Sequence, residues 1–151
     1  MKNSYNKFAF MMTISFVVMY SVMFLNVFEF DHVYLSLTRL YMTLLMISPM
    51  ALYMILMMPS MYQNKRANVA ISIGAILVFF TALFLLRTQT PVEDKQFMKA
   101  MIPHHSSAIL TSRNANISDP ELKKLAEEII LAQQKEIAQM KSILDRLEKQ
   151  K

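Results

Sequence analysis

Two thioether and two imidazole side chains lie within eight residues of one another, from Met98 to His105, in a chain that contains no cysteine. On an α-helix at about 100° per residue, Met98, Met101 and His105 share one face, whereas His104 points about 100° away. Thioether sulfur is a soft ligand that suits Cu(I), and imidazole also binds copper. The spacing therefore predicts a soft-metal site rather than a calcium or magnesium site, which would need hard oxygen ligands.

Other residues at helical spacing complete the predicted site. Asp94 lies one turn before the first of these methionines. Further along the chain, Gln133 is positioned to hold an imidazole nitrogen of His105, and Met140 offers a third sulfur. Glu136 lies at the edge of the same apolar stripe and is a further candidate supporting residue. The alternative is packing, because a single methionine or histidine on an apolar helix face usually belongs to a core.

Three stretches of about 20 residues in the first half of the chain carry no charged side chain and are rich in Met, Leu, Ile, Val and Phe. About 20 helical residues cross the 30 Å hydrocarbon core of a bilayer. We therefore predict three transmembrane helices near 8–28, 40–58 and 69–87, in contact with membrane lipid. The predicted transmembrane domain is 1–88, and 89–151 form an extramembrane domain.

The distribution of basic residues predicts the orientation in the membrane. Positive charges accumulate before the first span and in the second loop, whereas the first loop is mainly acidic. Basic residues favour the cytoplasmic side. We therefore expect a multi-pass protein of a bacterial inner membrane, with a cytoplasmic N-terminus and a periplasmic C-terminal domain. The nearly balanced charge of that domain argues against nucleic-acid binding.

The C-terminal domain is predicted to be an antiparallel hairpin of two helices, at about 91–113 and 119–148. Thr90 and Glu93 have the spacing of a capping box at the first start, and Asp119 is followed by proline at the second. Since two helices bury little core, we expect a homodimer or higher oligomer that completes a four-helix bundle. The predicted fold class is therefore all-α.

Two further groups have alternative interpretations. Met42, Met46, Met50 and Met54 recur every four residues, which is typical either of a thioether pathway for a soft cation or, as we favour, of packing in a bilayer. In the first loop, Asp31 and His32 could add metal ligands. We favour interfacial polar residues there, within an aromatic belt. The belt would consist of Phe28, Phe30 and Tyr34.

The hairpin pattern resembles the bacterial family catalogued as domain of unknown function 305, over roughly 92–147. The resemblance implies a ferritin-like helical bundle, and some members are implicated in binding copper or silver. The three-span half is similar to membrane-anchored members found with heavy-metal resistance systems. The matching pattern is Asp94-x-x-Phe97-Met98-x-x-Met101-Ile102-Pro103-His104-His105, followed by Gln133-x-x-Glu136-Ile137-x-x-Met140. The family's ligand positions correspond to Met98, Met101, His104, His105 and Met140. Many members carry methionine where this chain has Thr111.

These observations favour a non-enzymatic, membrane-anchored protein that binds Cu(I) or Ag(I) in the periplasm. Such a protein would buffer the metal, confer resistance to it or deliver it to an export partner. The alternative is an accessory or assembly subunit of a membrane transport complex that binds no metal. A di-iron oxidase is disfavoured, because its bundle needs Glu-x-x-His motifs and the C-terminal domain has none.

Overall fold

The computed structural model describes residues 2–150, where all regular secondary structure is helical and no strand occurs. This confirms the all-α class. One short 3-10 turn, Phe30–His32, lies between the first two long helices. The helices are α1 (Lys2–Val22), α2 (Leu37–Met57), α3 (Lys65–Thr88), α4 (Asp94–Asn114) and α5 (Pro120–Lys149).

The described residues form two compact units. The apolar unit contains residues 2–22 and Thr38–Pro91, and the hairpin unit contains Met23–Leu37 and residues 92–150. The division predicted after residue 88 lies close to the second boundary. The segment Met23–Leu37, here called the strap, was assigned to the membrane half by sequence, yet it packs with the C-terminal hairpin.

Two helices of the apolar unit, α2 and α3, are long and apolar enough to cross a membrane, a criterion of length and composition alone. The helix predicted over 8–28 begins earlier and ends six residues sooner, at Val22. Its charge-free part, 8–22, covers about 22 Å, which is shorter than a hydrocarbon core of about 30 Å. The three-span arrangement therefore stays a prediction.

The methionines of α2 do not form one continuous surface. Met54 is buried with Phe8, whereas Met42 and Met46 are exposed within the unit. Steps of four residues advance the position by about 40° around the helix each time, so the series turns away from any single neighbour.

The start of α4 differs from the prediction. The helix begins at Asp94, and Glu93 at its N-cap makes no side-chain capping bond. Thr90 instead belongs to the end of α3, because its N–H donates to the Leu85 carbonyl and its own carbonyl accepts from the Tyr41 hydroxyl. The predicted capping box was therefore wrong.

The second predicted cap is confirmed. The Asp119 carboxylate accepts a hydrogen bond of 2.8 Å from the Leu122 N–H, and Pro120 occupies the first helical position, where its missing donor costs nothing. The observed helix, Pro120–Lys149, agrees with the predicted 119–148 to within one residue at each end.

The core of the hairpin unit lies between α4 and α5. Its buried members are Met98, Ile102, Ile109, Ile137 and Leu144. Ile102 lies about 40° from Met98 around the helix and belongs to the face that packs on α5. Ser106 lies about 80° from Met98, yet it is fully buried as well. The reason is that the strap covers a second side of α4.

Hydrogen bonds to Ser106 fasten the strap to α4. The Phe28 N–H donates to Ser106 Oγ at 2.7 Å, and His32 Nδ1 lies 2.9 Å from the same oxygen. Asp31 of the strap forms an ion pair with Lys141 of α5. The strap therefore contacts both helices and adds a third layer to a hairpin that sequence reasoning expected to be completed only by oligomerisation.

Only one residue of the predicted aromatic belt is exposed. Phe28 and Tyr34 pack against the hairpin core, and the Arg113 guanidinium lies 5.2 Å from the centre of the Phe28 ring. Phe30 is 91% exposed. Two of the three aromatic residues thus take part in folding of the hairpin unit.

Ser106→Ala should destabilise the hairpin unit by about 1–3 kcal/mol, because it leaves the buried Phe28 N–H and His32 Nδ1 without their shared partner. We expect faster amide exchange at Phe28, measured by hydrogen–deuterium exchange on the full chain in detergent. Ser107→Ala is the matched control, since its hydroxyl accepts only an exposed bond from Asn26. Equal exchange at Phe28 in the two variants would contradict the strap's attachment through Ser106.

Candidate metal centre

His105 of α4 is held by Glu136 of α5. The distance from His105 Nε2 to Glu136 Oε2 is 3.1 Å. The imidazole is 13% exposed and the carboxylate 51% exposed, so the pair lies at the edge of the hairpin core. A carboxylate only accepts hydrogen bonds, so a neutral His105 ring that donates to Glu136 would carry its proton on Nε2.

The other ring nitrogen of His105 is buried and has no hydrogen-bond partner among the described residues. With the proton on Nε2, the Nδ1 of a neutral ring presents a free lone pair to the protein interior. Burial lowers the pKa of His105; Glu136 opposes this shift and the neighbouring His104 adds to it. The neutral form, which is the metal-binding form of imidazole, is therefore favoured.

Two of the three predicted sulfur ligands belong to the core beside this pair. Met98 is buried in it, and Met140 packs against the same cluster. Met101 is half-buried and lies one turn before His105 on α4. Two ion pairs join α4 to α5 on either side of Met101. Lys99 pairs with Glu148 at 3.0 Å, and His105 pairs with Glu136 at 3.1 Å.

The remaining predicted residues lie further out. His104 is exposed, with its ring centre 6.2 Å from that of His105. Asp94 is exposed in the first turn of α4, and Gln133 is half-buried. Gln133 was predicted to orient His105, but in the structure Glu136 is the residue beside its ring.

Sequence reasoning missed the contribution of the strap. His32 and Ser106 are 74 positions apart in the chain, and no spacing rule connects them. Burial lowers the pKa of His32, with a further contribution from Lys141, against the opposing effect of Asp31 and Glu29. The hairpin unit thus contains two imidazoles whose pKa is lowered by burial, and the sequence analysis identified only one of them as belonging to this domain.

Residues 83–151 match the family model described as Domain of unknown function (DUF305). An uncharacterized protein of Acanthamoeba polyphaga mimivirus is 39% identical over 113 residues, which cover 74% of this chain and 72% of the viral protein. Residues 83–151 form a domain of the DUF305 family. The DUF305 match contains α4 and α5 with every predicted ligand, whereas the strap lies outside it. No solved structure matches the chain.

The stability of the hairpin unit should fall in mild acid. Folding lowers the pKa of both His32 and His105 below the ordinary value of 6.5. Between the folded and unfolded values the unfolded chain binds more protons, so the free energy of unfolding rises with pH there. The stabilisation is complete above about pH 7.5 and is lost as the pH falls below 6.5.

Denaturant unfolding of the full chain between about pH 7.5 and pH 5.5 would measure this dependence. The double variant His32→Gln, His105→Gln should flatten it. A slope that is unchanged in the double variant would show that other groups control the acid sensitivity.

Proposed function

We propose that the protein captures Cu(I) or Ag(I) in the hairpin unit and holds the ion without redox chemistry. The main support for this proposal is the buried Nδ1 of His105. It has no hydrogen-bond partner among the described residues, whereas Nε2 of the same ring pairs with Glu136. Buried polar atoms are nearly always hydrogen-bonded, so an orphaned lone pair of this kind is a candidate ligand.

The chemistry of the neighbouring side chains supports a soft monovalent ion. Met98, Met101 and Met140 would supply thioethers, which favour Cu(I) over harder ions. A carboxylate bonded to the far side of a metal-ligating imidazole is a recurring arrangement that orients the ring and raises its basicity. Glu136 would have this role. The exposed His104 would act as the first contact for an ion arriving from solvent.

Membrane anchorage is supported by the strap. The strap precedes α2 and the C-terminal helices follow α3, yet both belong to one compact unit. If α2 and α3 cross a membrane as a pair, the strap and the C-terminal helices would lie on the same side of it, which agrees with their forming one unit. Lys65 and Arg66, at the start of α3, favour the cytoplasm for that end. The hairpin unit would then face the periplasm or an equivalent compartment, with α1 as a third span.

Oligomerisation and delivery to an export partner complete the proposal. Leu122 and Leu125 of α5 are each 49% exposed, although they continue its apolar side. A second hairpin placed there would bury them and form a four-helix bundle. A protein that binds the ion through labile thioether ligands would suit buffering, resistance and transfer to an exporter.

Replacing Met98, Met101 and Met140 together with leucine should abolish stoichiometric binding of Ag(I) and Cu(I). Each substitution conserves volume and costs less than about 1.5 kcal/mol, so the fold should persist. Titration of the full chain with Ag(I), followed by elemental analysis, measures the effect. The matched control is Met42→Leu, Met46→Leu in α2. Unchanged affinity in the triple variant would disprove the thioether site.

Reporter fusions test the proposed topology. An enzyme reporter that is active only outside the cytoplasm, placed after Lys151, should be active, and one placed in the loop between α2 and α3 should be inactive. Cytoplasmic readout at both positions would favour the alternative of an accessory subunit without periplasmic metal binding. That alternative also predicts partner association that does not depend on metal.

A further inference from the structure

A second set of ligand atoms lies in the strap, away from the methionines. One ligand atom each from Glu29, Asp31 and His32 lies within 4.8 Å of the other two. His32 Nε2 is 3.7 Å from Glu29 Oε2 and also 3.7 Å from Asp31 Oδ1. These distances are too long for hydrogen bonds.

The imidazole ring of His32 is only 7% exposed, and its Nε2 faces an oxygen of each carboxylate. Two acidic groups alone would say little, because exposed carboxylates often gather without a ligand. The buried imidazole aimed at them is an independent observation that distinguishes this cluster from a group of exposed carboxylates.

Residues around the cluster hold its members in a ligating orientation. His32 Nδ1 is 2.9 Å from the fully buried Ser106 Oγ, and when Nδ1 donates there, Nε2 presents its lone pair to the carboxylates. The Lys141 ammonium binds Asp31 Oδ2, which leaves Oδ1 turned towards His32. Metal sites commonly hold the second nitrogen of a histidine ligand and the second oxygen of a carboxylate ligand in this way.

We propose that Glu29, Asp31 and His32 bind a divalent cation of intermediate softness, of the Zn²⁺ type. One imidazole and two carboxylates match the nitrogen and oxygen ligands of zinc and offer no sulfur for Cu(I). Ligands about 2.1 Å from a tetrahedral ion lie about 3.4 Å apart, close to the observed 3.7 Å. With Lys141 included, the cluster carries one net negative charge, which favours a cation.

The solvent access to the cluster and the pocket beside it also suit a zinc-type ion. The side chains of Glu29 and Asp31 are 56% and 65% exposed, so an ion can reach them from solvent. A pocket lined by Glu29, His32, Gln134 and Lys141 opens beside the cluster and leaves room for a water ligand. The cation would join three residues of the strap, and its binding energy would stabilise the attachment of the strap to α4.

This site is independent of the proposed Cu(I) or Ag(I) site. It shares no ligand with His105 and the methionines, and it lies outside the residues that match the DUF305 model. It can therefore exist whether or not the thioether site binds a soft ion, and the two proposals can be tested separately.

Calorimetric titration of the metal-free full chain in detergent with Zn²⁺ tests the proposal, and Co²⁺ serves as an absorbing substitute. We expect one equivalent to bind to the native chain. The double variant Glu29→Gln, Asp31→Asn should weaken Zn²⁺ binding by at least about 10-fold. Even the loss of a residue that only supports a metal ligand lowers the affinity by about this factor. Its substitutions are exposed and should leave the fold intact. His32→Gln should have the same effect and should also alter the Co²⁺ spectrum.

Two controls separate this site from the other. The His105→Gln, Glu136→Gln variant and the triple methionine-to-leucine variant should bind Zn²⁺ as the native chain does, and the Glu29→Gln, Asp31→Asn variant should bind Ag(I) normally. Absence of a stoichiometric Zn²⁺ site in the native chain would overturn the inference. Equal Zn²⁺ affinity in the native chain and the double carboxylate variant would overturn it as well, even if His32→Gln failed to fold.

Discussion

A hairpin of two helices buries too little apolar surface to be stable alone, and this shortage shapes the C-terminal half of the protein. The strap supplies the missing layer from within the same chain. Its attachment to Ser106 covers a second side of α4, so that this serine is as buried as the residues facing α5. Since His105 is bonded to α5 and its neighbour Ser106 to the strap, the rotation of α4 about its axis is fixed from both directions.

Burial of imidazole is the electrostatic consequence of this architecture. Desolvation lowers the pKa of His32 and of His105, and the buried Nδ1 of His105 has no hydrogen-bond partner among the described residues. An unsatisfied buried nitrogen costs about 1–3 kcal/mol, which a structural core would normally avoid. A metal ion that accepts the lone pair of His105, as we propose, would remove that cost. Methionine sulfur in the hairpin core would suit a soft ion, whereas carboxylate oxygen beside His32 would suit a harder one.

The local sequence predicted where the helices lie, but it did not predict the ends of all of them. Charge-free stretches and apolar periodicity located α2, α3 and α5 to within about four residues, because these signals act through neighbouring residues. The end of α1 at Val22 and the start of α4 at Asp94 depend on contacts with distant segments. The strap follows the first of these ends, and Thr90 is bonded to α3 and Tyr41 before the second.

The sequence by itself determined which donor atoms the hairpin carries, since the spacing of Met98, Met101 and His105 on one helix face is a property of helical geometry. It could not decide that Glu136 rather than Gln133 holds His105, because both lie on the same side of α5 and only the register between two helices distinguishes them. The sequence also could not predict that His32 contacts Ser106. A contact across 74 positions arises when the chain folds back on itself, and only the tertiary structure fixes where it does so.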